Sequence, residues 1–426
     1  MSEVDERRRR SVQAAGLALL GAVLGPGLTA CAHGNASARA VAPRAAMPWQ
    51  LDADFLADLP RLMRAYQVPG VAMATVHDGE LTWCYHTGLA NAETGAIVTG
   101  DSLFEAASLS KPVFAWLVLR LVDEQRLNLD QPLTSLLRPS WLANDPNCDR
   151  ITARHVLCHS TGLVNWRKQP LTEKLQPAFT PGTQIRYSGE AYFWLQLVVE
   201  QLMNASLETL AQRYLFAPAG MRDSSFAWDD ALAARSVFGH AAPDAGALVP
   251  LPPQGMRAQW QLVESLARSR QKPLGQWRYA DAEQAYAALA DKVPTDAVGW
   301  PGDLMANCAA SLRCTAADYG RFLRVLMAMA DAPKLSESSQ QLYTETQIET
   351  RPDWSGKTLG WNREQTRVGP VLYHGGNNAN QFKTFAIAEP TGGRALVVMT
   401  NGGGGSMVYQ QIVRAATGRD LLAFEP

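Results

Sequence analysis

Residues 104–112 read FEAASLSKP and place Ser108 three residues before Lys111. The apolar run at 113–122 follows directly and predicts a buried helix, on which residues three apart share one face. The amine can therefore reach the hydroxyl, and a lysine whose pKa is lowered by burial or by nearby positive charge can remove the serine proton. This predicts a serine nucleophile with a lysine base, although the spacing also fits a solvated pair on a surface helix. Ser110 is a rival nucleophile, but it lacks a lysine three residues later.

Two shorter stretches are candidates for the rest of a catalytic cleft. RYSGE at 186–190 carries Tyr187 ahead of an apolar helical run, where a phenolate beside a cation could move protons. YHGGN at 373–377 carries His374, and its glycines allow a ligand to approach a strand edge whose N–H groups can bind an oxyanion. Taken alone, the first stretch equally fits a packing tyrosine, and the second fits an ordinary strand end.

Together the three stretches resemble the β-lactamase and penicillin-binding-protein superfamily. Its class C β-lactamases, D-alanyl-D-alanine carboxypeptidases and related esterases share the elements S-x-x-K, Y-x-N and K-T-G. This chain has counterparts in the same order and at roughly the same spacing, namely Ser108-x-x-Lys111, Tyr187-x-x and His374-x-Gly376. Further similar segments are RLNLDQP at 126–132, ITARHVLCHSTGL at 151–163 and ASLRCTAADY at 310–319. The resemblance covers about residues 52–416.

The resemblance implies an acyl-enzyme mechanism that needs neither a metal nor an organic cofactor. It implies that Ser108 attacks a carbonyl carbon of an ester, a D-amino peptide or a lactam, while Lys111 and Tyr187 share the roles of base and proton donor. The residues implied at the oxyanion hole and the substrate-binding edge are His374, Gly376 and Asn377, the last of which adds its backbone N–H to that of the nucleophile. The expected partner is a small-molecule or peptide substrate with a reactive carbonyl.

Two positions depart from the family pattern. Gly189 stands at the Asn of Y-x-N, whose amide holds the side-chain carbonyl of a β-lactam in the resembled enzymes. His374 stands at the Lys of K-T-G, where it would orient Tyr187 or bind a substrate carboxylate without a permanent charge. We therefore expect acyl transfer but poor β-lactam hydrolysis. A hypothesis of a different class is a non-catalytic or weakly catalytic penicillin-binding or sensor protein on the same fold.

A metal site is the competing chemical interpretation of the segment 151–163. His155 and His159 are four residues apart and Cys158 lies beside them, a spacing that metal sites use. No third ligand follows at a suitable spacing, and the segment has its own match in the superfamily. We therefore expect it to be structural and expect no metal.

The N-terminal residues have the pattern of an export signal. Four arginines precede the apolar run 12–30, and the run ends in LTAC, which resembles the lipobox of bacterial lipoproteins. We expect a signal peptide at 1–30, lipid on the thiol of Cys31 and a flexible tether at 31–48. The protein would then be exported, periplasmic and anchored to the membrane by its lipid. An N-terminal transmembrane anchor is the alternative.

Composition and strand pattern indicate the fold class. The chain has 426 residues and is 47% apolar, and its 39 Lys and Arg balance 40 Asp and Glu, so it lacks a basic field for nucleic acid. Strand-like runs near both ends flank a helical middle. This predicts an α+β, β-lactamase/transpeptidase-like fold, with an antiparallel sheet built from both chain ends, flanking helices and an inserted, mostly helical domain. The expected boundaries are a domain at 49–426 that divides into a sheet subdomain at about 49–107 and 302–426 and a helical subdomain at about 108–301.

Five cysteines remain after Cys31. Cys148–Cys158 or Cys308–Cys314 could form a disulfide in an oxidising compartment, or each cysteine could be a small buried hydrophobic residue. The sequence leaves both interpretations open.

Overall fold

A computed structural model describes residues 49–242, 247–289 and 300–425. The predicted signal peptide, the tether and Cys31 lie outside these ranges. Within the described ranges, no helix combines the length and the apolar character needed to span a membrane.

In the described ranges, strands are grouped near the two ends of the chain and helices predominate between them. The helices are α1 (Ala53–Ala65), α2 (Ser110–Asp123), α3 (Ala153–Leu157), α4 (Gly189–Met203), α5 (Leu207–Ala211), α6 (Asp230–Ala233), α7 (Ala258–Ser269), α8 (Tyr279–Leu289), α9 (Ala316–Leu326), α10 (Glu337–Thr344) and α11 (Gly405–Thr417). The strands are β1 (Gly70–His77), β2 (Glu80–Asn91), β3 (Ala96–Ile97), β4 (Phe104–Glu105), β5 (Gly239–Ala241), β6 (Val249–Leu251), β7 (Arg313–Cys314), β8 (Ile348–Arg351), β9 (Ser355–Lys357), β10 (Asn362–Thr366), β11 (Gly369–Asn378), β12 (Phe382–Glu389) and β13 (Arg394–Thr400).

One large antiparallel sheet joins the two ends of the described chain. Its nine strands run in the order β3-β2-β1-β13-β12-β11-β10-β9-β8. Strand β1 pairs with β13 from Val71↔Thr400 to His77↔Arg394, so the first and last strand groups meet in the middle of the sheet. The predicted α+β fold, with a sheet built from both chain ends, is confirmed.

An Asp-Gly dipeptide between two strand-like runs favours a hairpin, and Asp78-Gly79 connects β1 to β2 in this way. Asp78 has a φ of 49° and Gly79 a φ of 81°, the positive values that a two-residue hairpin loop of this kind requires. The turn therefore sets the register of the first two strands.

Strand β1 is buried on both faces, and its alternating side chains belong to two cores. Val71 and Met73 lie in the core that α1 and α11 cover. Ala72 and Ala74 lie in the larger core, which includes α9 and extends into the helical middle. Nearly every side chain of α2 between its first residue and Leu121 is buried, so the helix predicted from the apolar run is a central core element.

The five described cysteines are all free thiols, so neither suggested disulfide is present. Cys308 Sγ donates to Tyr192 O over 3.3 Å, and Cys158 Sγ lies 3.2 Å from Ser160 Oγ. Both sulfurs therefore have other partners. Cys148, Cys158, Cys308 and Cys314 are buried in the larger core, in agreement with the alternative of small apolar residues.

The described residues between Gly239 and Leu289 form a small hairpin, β5–β6, and the helices α7 and α8. The division into a sheet subdomain and a helical subdomain stays a prediction.

Candidate active site

Ser108 lies in a short 3-10 turn that leads directly into α2. Ala107 before it has a φ of 52°, in the left-handed region that residues with a side chain seldom adopt, and such strain is typical of functional sites. Two hydrogen bonds fix the backbone of Ala106, the residue before Ala107. Its N donates to Leu312 O and its O accepts from Thr384 Oγ1, both over 2.8 Å. Ser108 is half-buried between fully buried neighbours, so it is the residue of the turn that a substrate can reach.

The Lys111 side chain, in the first turn of α2, points to the serine hydroxyl. Its Nζ lies 3.2 Å from Ser108 Oγ and donates to Ala309 O over 2.8 Å. The same Nζ lies 4.6 Å from the centroid of the Tyr187 ring. The structure thus brings the three predicted catalytic side chains together. In its neutral form the amine is close enough to accept the serine proton.

Ser110, the rival nucleophile, has a structural role, because its hydroxyl is bonded to the backbone on both sides. Its side chain is fully buried, its Oγ donates to Ala107 O over 2.6 Å, and the same oxygen accepts from Leu312 N over 3.1 Å. These bonds connect the start of α2 to a distant segment and occupy the hydroxyl.

Tyr187 stacks on His159, an imidazole that the sequence alone did not connect with catalysis. The ring centroids are 4.3 Å apart and the planes are inclined by 28°. His159 Nδ1 accepts a hydrogen bond from Ser188 N over 3.2 Å, which places the ring proton on Nε2. Burial, together with the cations of Lys357 and Lys111, lowers the pKa of His159 well below its ordinary value. A neutral imidazole therefore supports the phenol ring from one side.

The two histidines of the competing metal hypothesis have different protein partners. His155 belongs to the capping box of α3, with Nδ1 3.2 Å from Thr152 Oγ1. The helix ends at Leu157, and His159 has a φ of 59°, so the four-residue helical relation does not extend to it. Among the described residues, no group of three side chains that could hold a metal ion is present.

The predicted substrate-binding edge lies along β11, and its residues are His374, Gly376 and Asn377. A Cβ at Gly376 would lie 2.2 Å from Thr384 Oγ1, so glycine is needed where the strand passes the turn of Ser108. Asn377 follows Gly376 and is exposed. The substrate-binding edge of β11 therefore runs beside Ser108. The use of the Asn377 N–H in an oxyanion hole stays a prediction.

His374 is a buried and neutral imidazole. Its Nδ1 lies 2.8 Å from Gly375 O, and because a carbonyl oxygen can only accept, Nδ1 carries the proton and Nε2 has the free lone pair. Burial is the main cause that lowers the pKa of His374 to about 3, and the charges of Lys111 and Lys357 add to it. The position that is lysine in K-T-G therefore has no charge here at neutral pH.

A buried ion pair fixes the segment that carries Tyr187. Arg167 Nε donates to Glu190 Oε1 over 2.8 Å, and the two side chains are 0% and 1% exposed. Glu190 also accepts from the backbone N of Arg167, and the guanidinium lies 4.7 Å from the Trp141 ring and 5.0 Å from the Trp300 ring. The pair ties the loop before Arg167 to the first turn of α4.

A cavity of about 380 Å³ is lined by chain neighbours of several residues of the candidate site. Its walls include Ala310, Asn378 and Trp166, which are next to Ala309, Asn377 and Arg167 in the chain, respectively. Ser108, Lys111 and Tyr187 are not among its lining residues, so the cavity can take the part of a substrate that extends from the reacting bond.

Three contributors to the site were not predicted from the sequence. They are the carbonyl of Ala309, the ring of His159 and the cation of Lys357 on β9, whose Nζ donates to Asn362 Oδ1. Burial lowers the pKa of Lys357 to about 8. The segment 151–163, which resembles the superfamily, contains His159, but the resemblance gave this histidine no role. Ala309 and Lys357 lie in no recognisable motif.

Comparison with known proteins agrees with this geometry. The family model described as Beta-lactamase matches residues 55–419. Penicillin-binding protein 4 of Amycolatopsis lactamdurans is 26% identical over 379 residues, which cover 84% of this chain and 87% of that protein. Esterase EstB of Burkholderia gladioli is 31% identical over 211 residues, which cover 43% of this chain and about half, 52%, of that protein.

A solved structure shows the same fold. The octameric penicillin-binding protein homologue from Pyrococcus abyssi has a TM-score of 0.65 at 16% identity, and the alignment covers 86% of this chain and 77% of that one. A family model that spans most of the chain thus coincides with a serine and a lysine in contact at the start of a buried helix. The chain belongs to the Beta-lactamase family and is a serine hydrolase.

Proposed function

We propose that the protein hydrolyses small esters or D-amino peptides through an acyl-enzyme on Ser108. The observation that carries the proposal is the contact of Lys111 Nζ with Ser108 Oγ, at 3.2 Å, beside the ring of Tyr187. A serine hydroxyl becomes a good nucleophile when an adjacent base removes its proton. The similarity to an esterase supports the ester as a substrate.

In the acylation step, Ser108 Oγ forms a bond to the carbonyl carbon while its proton passes to the Lys111–Tyr187 pair. The negative charge that develops on the carbonyl oxygen is stabilised by the backbone N–H groups of Ser108 and Asn377. The tetrahedral intermediate collapses, the bond to the leaving group breaks, and the same pair returns a proton to that group.

In the deacylation step, water attacks the acyl carbon and gives a proton to the pair. The bond between Ser108 Oγ and the acyl carbon then breaks, and Oγ is protonated again. The Ala309 carbonyl supports both steps because it fixes Lys111 Nζ at 2.8 Å.

We further propose that β-lactams are poor substrates. Gly189 has no side chain with which to hold an acylamide carbonyl, and one lost hydrogen bond costs about 0.5–1.5 kcal/mol, or about ten-fold at most. The neutral imidazole of His374 adds to this, because it cannot attract the lactam carboxylate as a lysine ammonium would.

The experiment compares kcat/KM for a short-chain nitrophenyl ester and for a chromogenic cephalosporin on one preparation. We expect the ester to be the better substrate. A cephalosporin value near ~10⁷ M⁻¹s⁻¹, in the range of well-evolved enzymes, would make the protein a β-lactamase and contradict the proposal.

We also propose that the protein is exported to the periplasm and held to the membrane by lipid on Cys31. The support is the order of arginines, apolar run and LTAC in the first 31 residues. The Ala-rich stretch that follows suits a tether between the lipid and the folded domain.

A further inference from the structure

The glycine at the third position of the Tyr187 motif has a cause in the structure. A Cβ at Gly189 would lie 2.3 Å from Trp166 Cζ2 and 2.6 Å from both Cε2 and Cη2 of the same indole. Gly189 is the first residue of α4, so its backbone is helical and does not itself require glycine. The indole of Trp166 therefore occupies the space into which any side chain at this position would project.

Trp166 is held firmly on the side that faces Gly189. Asn165 before it accepts from Gly189 N twice, over 2.9 Å at Oδ1 and 3.1 Å at the carbonyl oxygen. Arg167 after it forms the buried ion pair with Glu190. Both neighbours of Trp166 are thus bonded to the start of α4, which fixes the indole against the glycine.

The rest of the Trp166 ring is open to the cavity. The residue is 42% exposed, an unusual value for a tryptophan, and it lines the cavity. Pro252, Met305 and Phe382 supply further apolar wall, whereas other parts of the wall are charged or polar and include Glu105, Asp303 and Arg313. An aromatic surface with apolar neighbours and a volume of about 380 Å³ suits a flat apolar group of a small-molecule substrate.

We propose that Trp166 determines specificity by forming a subsite for an aryl group on the acyl side of the substrate. The inference rests on the proposed ester hydrolysis by Ser108. The indole packs against Gly189, which stands where the resembled β-lactamases have the Asn that holds the acylamide carbonyl. We therefore assign the subsite to the acyl side of the substrate. An aryl ring packs on the indole in an offset or edge-to-face arrangement, whereas an acetyl group is too small to reach it.

The test compares two esters with one leaving group, 4-nitrophenyl phenylacetate and 4-nitrophenyl acetate, so that the ratio of their kcat/KM values reports the acyl side alone. We expect the ratio to fall about three- to ten-fold in Trp166→Ala and to be retained in Trp166→Phe. The matched control is Trp354→Ala, at an exposed tryptophan of the β8–β9 turn, which should keep the wild-type ratio. An unchanged ratio in Trp166→Ala overturns the inference.

A binding measurement separates failure of the inference from failure of the proposed function. If the wild-type protein hydrolyses neither ester, the proposed ester hydrolysis is wrong. Calorimetry with phenylacetamide and acetamide on the Ser108→Ala protein then still tests the subsite, because no turnover is needed. We expect the phenyl compound to bind more tightly and Trp166→Ala to remove the difference. Equal binding of the two amides before the substitution contradicts the inference.

A double-mutant cycle tests the packing independently of any substrate. Gly189→Ala should lower the stability of the wild-type background strongly, because the new methyl group overlaps the indole. In the Trp166→Ala background the same substitution should be tolerated, which gives a favourable coupling between the two sites. Equal destabilisation in both backgrounds would show that the indole is not what excludes a side chain.

Discussion

Replacing His374 by asparagine should make the protein less sensitive to acid. Burial and two nearby lysines lower the pKa of His374 from 6.5 to about 3. Below pH 6.5 the unfolded chain therefore binds a proton at this residue that the folded protein does not bind. The free energy of unfolding must then fall as the pH is lowered from 6.5 toward 3.

The size of this change in the free energy of unfolding follows from the pH range between the two pKa values of His374. Each pH unit inside it removes about 1.4 kcal/mol, so His374 alone costs the folded protein about 2 kcal/mol between pH 6.5 and about pH 5. The side chain is 4% exposed, so solvent screens little of this cost. Asparagine does not titrate, and its amide can donate to Gly375 O as Nδ1 does.

The assay is urea unfolding of the wild-type protein and of His374→Asn at a series of pH values. We expect the stability of the variant to fall by about 2 kcal/mol less over this interval. His159 is present in both proteins, so its own loss cancels in the comparison. His86→Asn, at an exposed position on β2, is the matched control and should keep the wild-type dependence. Equal losses in His374→Asn and the wild type would refute the argument that His374 is held neutral.

Three further predictions concern other parts of the molecule. Lys111→Met should lower ester kcat by about a hundred- to ten-thousand-fold, because Ser108 loses its base; near-wild-type turnover would contradict the assignment. Arg167→Met should lower the free energy of unfolding by about 3–5 kcal/mol, because Glu190 is left buried without its partner, and a loss below ~1 kcal/mol in urea would disprove this role. Labelled palmitate should enter the membrane-bound wild-type protein and not Cys31→Ala; label in the variant, or none in the wild type, would refute lipid attachment.

The contact between Ser108 and Lys111 could be predicted because both residues lie on the same short segment. A separation of three residues at the start of an apolar helix fixes their distance through local geometry alone. The hairpin at Asp78-Gly79 was predictable for the same reason, since the dipeptide determines the turn. The sheet built from both chain ends followed from the strand-like pattern near the two ends.

The partners that complete the site could not be predicted, since only the folded chain brings them together. The carbonyl of Ala309 is 198 residues from Lys111 in sequence, and any residue type offers a carbonyl. In the sequence, His159 was a candidate metal ligand together with His155. The positive φ of His159, just after α3, places its ring on Tyr187, and the sequence pattern does not reveal this φ. The contact of Trp166 with Gly189 likewise depends on how a loop packs against the start of a helix.

The central claim is that Ser108 carries the acyl group. Its most direct test is the turnover of a nitrophenyl ester by Ser108→Ala, with Ser110→Ala measured in parallel and with circular dichroism to confirm that both variants fold. Replacement of Ser108 should lower kcat by ~10³-fold or more, because its hydroxyl is the one that Lys111 Nζ contacts, while the Ser110 hydroxyl donates to Ala107 O. Near-full activity in Ser108→Ala, with loss of activity in a folded Ser110→Ala, would contradict the account.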